Sequence, residues 1–459
     1  MDKPSTERVE NIVAIKSGDE GLAQVDWTAD EERAVKRKID FIILPLLGLS
    51  FFALQMDRGN IANALTDTIT HDLGITTNQI NIGTQLLSCG IIIIEIPSNI
   101  LLQKVGPQRW LLLGLCEAGF IPGALYTMSN WYKKSETSFR VSVFFVGNLL
   151  AAATISLIGA GILSMSGRYG IAGWKWLFMI EGIITVCIGV VFMLYFPASV
   201  TDGSPLVSRG RWSYFTDREL HICTSRVLLD DPAKAKGKIE ISRHDIVDTM
   251  KKPYIWCHVL IAILVNSPTS ALQTYGPSIV KSLGFTAVHA NALYSVGFFI
   301  SIILVLILGL AADYTERRGP FALIGALWGI ISYVCLRQTP PTMNKWNRYA
   351  AVIAANGTNS VVHVINIGWL SLNCTSPQQR SLAMAMVIMA ANCGGVIGGQ
   401  FFRADDAPLY HRAFTIMLAF ASTGLVLVAG QMLWYMFSNR RLASNRSSAA
   451  EPRAGVSIW

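Results

Sequence analysis

Charge is scarce in this sequence. Of 459 residues only 15% are Asp, Glu, Lys or Arg, where soluble chains carry about 25%. That scarcity excludes an ordinary soluble globule. Clustered cysteines are also missing. The eight Cys are scattered singly, in neither a metal-ligand spacing nor a secreted disulfide pattern, and they read as small packing residues. There is no His-Glu-x-x-His, no Ser-His-Asp arrangement and no Gly-rich phosphate loop, so neither an enzyme nor a cofactor is indicated. Aromatic-basic RNA motifs are absent too. The net charge of +8 therefore does not argue for nucleic acid. The chain is polar up to about residue 38 and shows no signal-peptide core, so the first span is expected to direct insertion.

What is present is hydrophobicity, at 52% of residues, gathered into runs of roughly 18–27 residues, the length that spans a bilayer as a helix. The runs fall at about 39–56, 79–102, 111–132, 139–165, 174–196, 254–276, 288–312, 320–337, 346–372, 381–402 and 413–437. The expected fold is an all-α membrane protein with about eleven spans. Lys36, Arg37 and Lys38 before the first span place the N-terminal tail, 1–38, in the cytoplasm. A polar stretch at 197–252 separates an N-terminal bundle, 39–196, from a C-terminal bundle, 253–438, and a polar tail covers 439–459. The glycines of Gly394-Gly395-Val-Ile-Gly398-Gly399 lie inside a span and read as packing glycines.

The halves resemble parallel repeats. Gln103-Lys104-Val-Gly106-Pro107 in the first answers Glu316-Arg317-Arg318-Gly319-Pro320 in the second, and Phe139-Arg140 answers Gln379-Arg380. From Pro107 to Arg140 is 33 residues; from Pro320 to Arg380 is 60. The first half is 27 residues shorter between these landmarks, about one helix and part of a turn. The basic turns at Lys104–Arg109 and Lys133–Arg140 point the same way. Both carry cytoplasmic charge, yet one apolar segment lies between them. A twelve-span bundle lacking one helix beside Trp110 accounts for both observations.

An ionisable group inside a span costs about 2.5–3.5 kcal/mol on the insertion scale, so each needs a partner or a purpose. Asp57-Arg58-Gly59-Asn60 ends the first span. Either it is a polar helix end, or Arg58 offers its planar fork to a carboxylate while Asp57 neutralises it or takes a proton. Glu117, among small residues and before Pro122, either pairs with a donor or cycles a proton. Glu95 gates or pairs, and Glu181 is expected to pair with a neighbouring helix. His363 is a packing residue or a ligand. Asn266, Gln273 and Tyr275 make a polar stripe that bonds either a small ligand or another helix.

Gly309-x-x-x-Asp313-x-x-x-Arg317-Arg318-Gly319 resembles the loop signature of the major facilitator superfamily. Three further stretches resemble the fungal anion:cation symporters, the allantoate permease-like group that includes nicotinate permeases. They are Asp57-Arg58-Gly-Asn60-Ile-Ala-Asn63, Glu95-Ile-Pro97-Ser98-Asn99 through Lys104-Val-Gly106-Pro107, and Gly114-Leu-Cys-Glu117-Ala-Gly119-Phe-Ile-Pro122-Gly123. The resemblance implies a two-bundle transporter that carries a small organic anion, such as nicotinate or allantoate, together with a proton. Arg58 would hold the substrate carboxylate, with Asn60, Asn266, Gln273, Tyr275 and His363 lining the site. Asp57 and Glu117 would carry the proton. Glu95, Asn99, Lys104, Asp313, Arg317 and Arg318 would gate or brace. It implies a monomer in the lipid bilayer, at the plasma membrane. Where members of the group show an Arg seven residues before the matched Glu, this chain has Trp110, and the preceding helix is missing. A carrier of another solute, a non-transporting nutrient sensor and an inactive splice product are the rival expectations.

Overall fold

The computed structural model describes residues 26–446 apart from 106–119, 198, 231–241, 341, 359 and 408. Within them the regular structure is helical, with no strand beyond an isolated bridge between Pro197 and Pro205. In chain order the helices are α1 (Ala29–Ala64), α2 (Thr77–Val105), α3 (Phe120–Trp131), α4 (Lys134–Leu163) and α5 (Gly173–Tyr195). Two polar helices follow, α6 (Asp217–Asp230) and α7 (Arg243–Met250). The second half holds α8 (Pro253–Ser282), α9 (Ala287–Thr315), α10 (Gly319–Gln338), α11 (Lys345–Thr358), α12 (Val361–Asn373), α13 (Pro377–Gly398) and α14 (His411–Arg446).

Among the described residues eight helical stretches are long and apolar enough to cross a membrane, with α11 and α12 counted as one. The other three expected spans fall on α2, α3 and α4. The helices α2 and α4 run for 29 and 30 residues. The helix α3 has only 12, and the sequence before it lies outside the described residues.

Local chemistry sets the helix ends. Thr28 and Glu31 form a reciprocal cap at the start of α1, the Thr28 N–H donating to Glu31 Oε2 at 2.8 Å and the Glu31 N–H to Thr28 Oγ1 at 3.2 Å. Ser242 and Asp245 form a capping box on α7. Pro253 and Pro377 occupy first-turn positions on α8 and α13, where a missing N–H costs nothing. Glu316, at φ 55°, ends α9 in the left-handed region and turns the chain toward Arg317-Arg318.

The helices gather into two compact units. One comprises Met1–Asp57, Ile93–Asn148 and Glu181–Glu240; the other Arg58–Ile92, Leu149–Ile180 and Ile241–Trp459. The division crosses α1, α2, α4 and α5, and it also falls within the polar stretch at 197–252.

The first unit has an apolar stack closed by an ionic end. Ile39, Ile43, Leu47 and Phe51 recur every four residues along α1 and are buried against Phe120, Ala124 and Met128 of α3, Phe144 of α4 and Phe192 of α5. The Phe51 and Phe144 rings stack at 4.3 Å. One turn below, Arg140 grips Asp40 with both ends of its fork, at 2.6 and 2.7 Å, and lies over the Tyr132 ring at 4.4 Å. Its counterpart Arg380 instead donates to the Ser371 carbonyl at 3.1 Å, so the repeated landmarks share a position and not a partner.

The polar stretch is no slack tether at α6. Arg226, fully buried at its side chain, donates to the Trp131 carbonyl at 2.9 Å and to Glu136 at 3.1 Å, with Glu32 at 3.8 Å. Lys38 donates to both Glu219 oxygens, at 2.9 and 2.8 Å. Partial burial pushes the Glu219 carboxyl up, but Lys38 and the Thr216 backbone outweigh it and hold the group below its usual 4.5. This bond therefore stabilises α6 fully above pH 4.5 and is lost as pH falls through the carboxylate range below it.

The second unit is seated on backbone contacts. A Cβ on Gly394 would meet the Ile263 carbonyl at 3.0 Å, and one on Gly398 would collide with the Ser267 carbonyl. The glycines thus bring α13 directly against α8, the packing role expected of them. In the same unit the Tyr435 hydroxyl lies 3.1 Å from His258 Nε2, Asn366 Oδ1 lies 2.6 Å from His258 Nδ1, and the Trp369 ring stands edge-on to the imidazole. His258 is fully buried, so this network fixes α8, α12 and α14 to one another.

Two outcomes follow from this packing. Hydrogen exchange of α6 amides, corrected for intrinsic rate, should stay slow from pH 7 to pH 5 and rise below about pH 4; Glu219→Gln should exchange fast throughout. Gly398→Ala should lower the melting temperature in detergent by several degrees, through an overpacking cost of about 1–3 kcal/mol. Gly395→Ala, whose Cβ meets Ser270 Oγ only at 3.6 Å, should leave it unchanged.

Candidate functional site

The helix α1 runs unbroken through Asp57 and Arg58 to Ala64. With a rise of 1.5 Å per residue the pair lies about 10 Å below the outer end of the helix. It is not the polar helix end that the sequence also allowed. Asp57 is exposed, and its Oδ1 accepts a hydrogen bond from Thr185 of α5 at 3.4 Å. Arg58 is half-buried on the next position. Small residues let α1 approach α4 just beyond: a Cβ on Gly59 would meet Ile155 at 2.9 Å, and Gly159 leaves room for Asn63, which donates to the Ile155 carbonyl at 3.4 Å. Asn60 is buried, and its Oδ1 has no hydrogen-bond partner among the described residues.

In the second half α8 and α12 bring two predicted residues together. Asn266 Nδ2 donates to the Ala262 carbonyl at 2.8 Å and reaches His363 Nδ1 at 2.9 Å. The imidazole nitrogen accepts there, which leaves the proton on its Nε2. Both side chains are half-buried. Gln273, seven residues after Asn266, shares its face. Tyr275 does not. Nine residues from Asn266 is half a rotation, and the Tyr275 hydroxyl instead donates to Asn81 Oδ1 of α2. The expected stripe of three is thus a pair, with Tyr275 turned to the opposite side of α8.

Tyr275 belongs to a set of ties between helices of the two halves. Asn81 Nδ2 donates to the Phe402 carbonyl at 3.0 Å, and Gln85 Nε2 to the Val396 carbonyl at 3.1 Å. Lys281 Nζ donates to the Thr66 carbonyl at 2.7 Å, and Asn291 Nδ2 to Thr66 Oγ1 at 2.7 Å. Each donor or acceptor lies toward the ends of α1, α2, α8, α9 and α13 that the positive-inside rule puts outside. These ends are drawn together and closed.

At the opposite ends Arg318 pairs with Asp313 and extends across Gly368 of α12, where a Cβ would strike its guanidinium. Arg317 is exposed. Glu95, Asn99 and Lys104 lie on α2, but their side chains are outside the described residues, as are Glu117 and Trp110 altogether. Among the described residues the pairing expected of Glu181 is not found: the side chain is fully buried, and neither carboxyl oxygen has a hydrogen-bond partner there. No group of three or more potential metal ligands occurs among the described residues. His258, which the sequence reading passed over, gives no periodic signal of its own.

Residues 110–399 match the Major Facilitator Superfamily. An uncharacterized transporter of Saccharomyces cerevisiae is 28% identical, over 92% of this chain and 84% of its own length. The MFS transporter prlL of a fungal species is also 28% identical, over 92% and 90%. Among solved structures, a D-xylose-proton symporter shares the fold with a TM-score of 0.60 at 14% identity, covering 84% of this chain and 97% of that one. A bacterial homologue of the human lysosomal transporter Spinster, in its inward-facing and occupied conformation, gives 0.54 at 15% identity, over 87% and 96%. With its match spanning more than half its length, its apolar helices and its transporter relatives, this multi-pass membrane chain belongs to the Major Facilitator Superfamily.

Proposed function

We propose that the chain is a proton-coupled symporter for a small organic anion, of the fungal anion:cation symporter group that includes allantoate and nicotinate permeases. It acts as a monomer in the plasma membrane. The observation that carries this reading is the Asp57-Arg58 pair, set inside an unbroken membrane helix, where a charge needs a purpose. Arg58 receives the substrate carboxylate with its fork, a charge-assisted contact that a lysine cannot reproduce. Asn60, Asn266, Gln273 and His363 supply hydrogen bonds to the rest of the ligand. Asp57 and Glu117 take up and release the proton, so that anion and proton enter together without net charge. Bundles 39–196 and 253–438 rock about the site, joined by 197–252. Glu95, Asn99, Lys104, Asp313, Arg317 and Arg318 brace or gate the cytoplasmic ends.

One observation favours a second reading, an inactive splice product. The first half is 27 residues short between matched landmarks, about one membrane helix and part of a turn. Sequencing the transcript across the codons for Trp110 and Leu111 should reveal a longer form with one more helix. A gene that cannot encode one would remove the splice reading.

In the restored protein, uptake of labelled nicotinate should fall about 10- to 100-fold in Arg58→Ala, the loss of a hydrogen bond to a charged group. Arg58→Lys should recover little. Unchanged uptake in Arg58→Ala would remove this residue from the anion site.

A further inference from the structure

Glu181 lies in the middle of α5, with Leu177 one turn before it fully buried. Its own side chain is completely sealed, and among the described residues neither carboxyl oxygen has a hydrogen-bond donor. Thr185, one turn further along the same face, donates to Asp57 at 3.4 Å. Asp57 is the one described titratable group whose charge bears on Glu181. A polar group buried without partners is rare enough in native structures to require an explanation. A structural role explains it poorly, because a carboxyl kept for packing would have found a donor or been replaced by an apolar residue.

We infer that Glu181 is a proton-carrying residue of the transport cycle, working with Asp57 across α1 and α5. The inference rests on the proton-symport reading and adds to it a site that the motifs do not mark. An ionised Glu181 would be shut away from water, with no donor and with a second carboxyl of the same sign nearby; the neutral acid avoids all three costs. In the conformation closed at its outer ends, the proton therefore sits on a Glu181 carboxyl oxygen. When α5 or α1 moves so that water reaches the pair, the O–H bond of Glu181 breaks. The proton passes to that water, and the carboxylate is left hydrated. Asp57, already exposed, is the group through which the proton arrives or leaves.

Two measurements on the full chain test this. In proteoliposomes an apolar carbodiimide, which reacts with protonated carboxyls in apolar surroundings, should label Glu181 by peptide mass mapping, and labelling should decline as the pH is raised. This needs no variant. A wild type unlabelled at Glu181 at every pH overturns the inference. Second, nicotinate transport is compared in wild type and Glu181→Gln. Wild type should accumulate up to about tenfold per unit of imposed pH gradient for one proton per anion. Glu181→Gln should keep counterflow exchange and lose accumulation. A Glu181→Gln protein that accumulates like wild type overturns the inference even if Glu181 is labelled. A wild type that neither exchanges nor accumulates nicotinate, in the given chain and in the restored protein alike, sinks the anion reading instead. Glu181 is then decided by labelling together with proton release after a pH jump: release present in wild type and missing in Glu181→Gln supports it, and equal release overturns it.

Discussion

Hydrocarbon offers no hydrogen bonds, so a backbone that crosses it must satisfy every amide and carbonyl along its own helix. Much else in this chain follows from that constraint. Long apolar helices leave side chains as the means of holding one helix to the next, and the polar ones among them are few. Where two helices must touch closely, glycine removes the obstacle, as Gly394 and Gly398 do for α13 on α8. Where a polar side chain is retained, it ties one helix to another, as His258 does with Asn366 and Tyr435. Charges that do not tie helices therefore stand out as the groups with other work to do.

Charged side chains are unevenly placed. One end of the first unit concentrates them: Arg140 with Asp40, Arg226 with Glu136 and Glu32, Lys38 with Glu219. Each pair joins segments far apart in sequence, and together they hold α6 onto the ends of α1, α3 and α4. Deeper in the helices, Asp57 and Arg58 on α1 and Glu181 on α5 remain. The second half answers with neutral groups, Asn266 and His363.

Much of the architecture was legible in the sequence because bilayer thickness fixes helix length and charge fixes orientation. The spans in the second half follow from helix length alone. What escaped these rules was direction around a helix and identity of partner. Tyr275 looked like a neighbour of Asn266, yet nine residues of helix turn it to the other side. Glu181 looked like half of a pair, because composition cannot show that no donor among the described residues stands opposite. The anchor of α6 also escaped, since it is one arginine, Arg226, whose partners lie about 90 residues away and more. Pattern along the chain says little about such distant contacts.

The ties at the outer ends also set an equilibrium. Lys281 and Asn291 on Thr66, Tyr275 on Asn81, Asn81 on the Phe402 carbonyl and Gln85 on the Val396 carbonyl make five bonds, at about 1 kcal/mol net for each. Lost together when these ends part, they would leave the outward-open form as a minor population, roughly one molecule in a few thousand. Four of the five use amide side chains, which no pH in the physiological range can titrate. The hold between these ends is thus insensitive to acid, unlike the Lys38–Glu219 bond at α6.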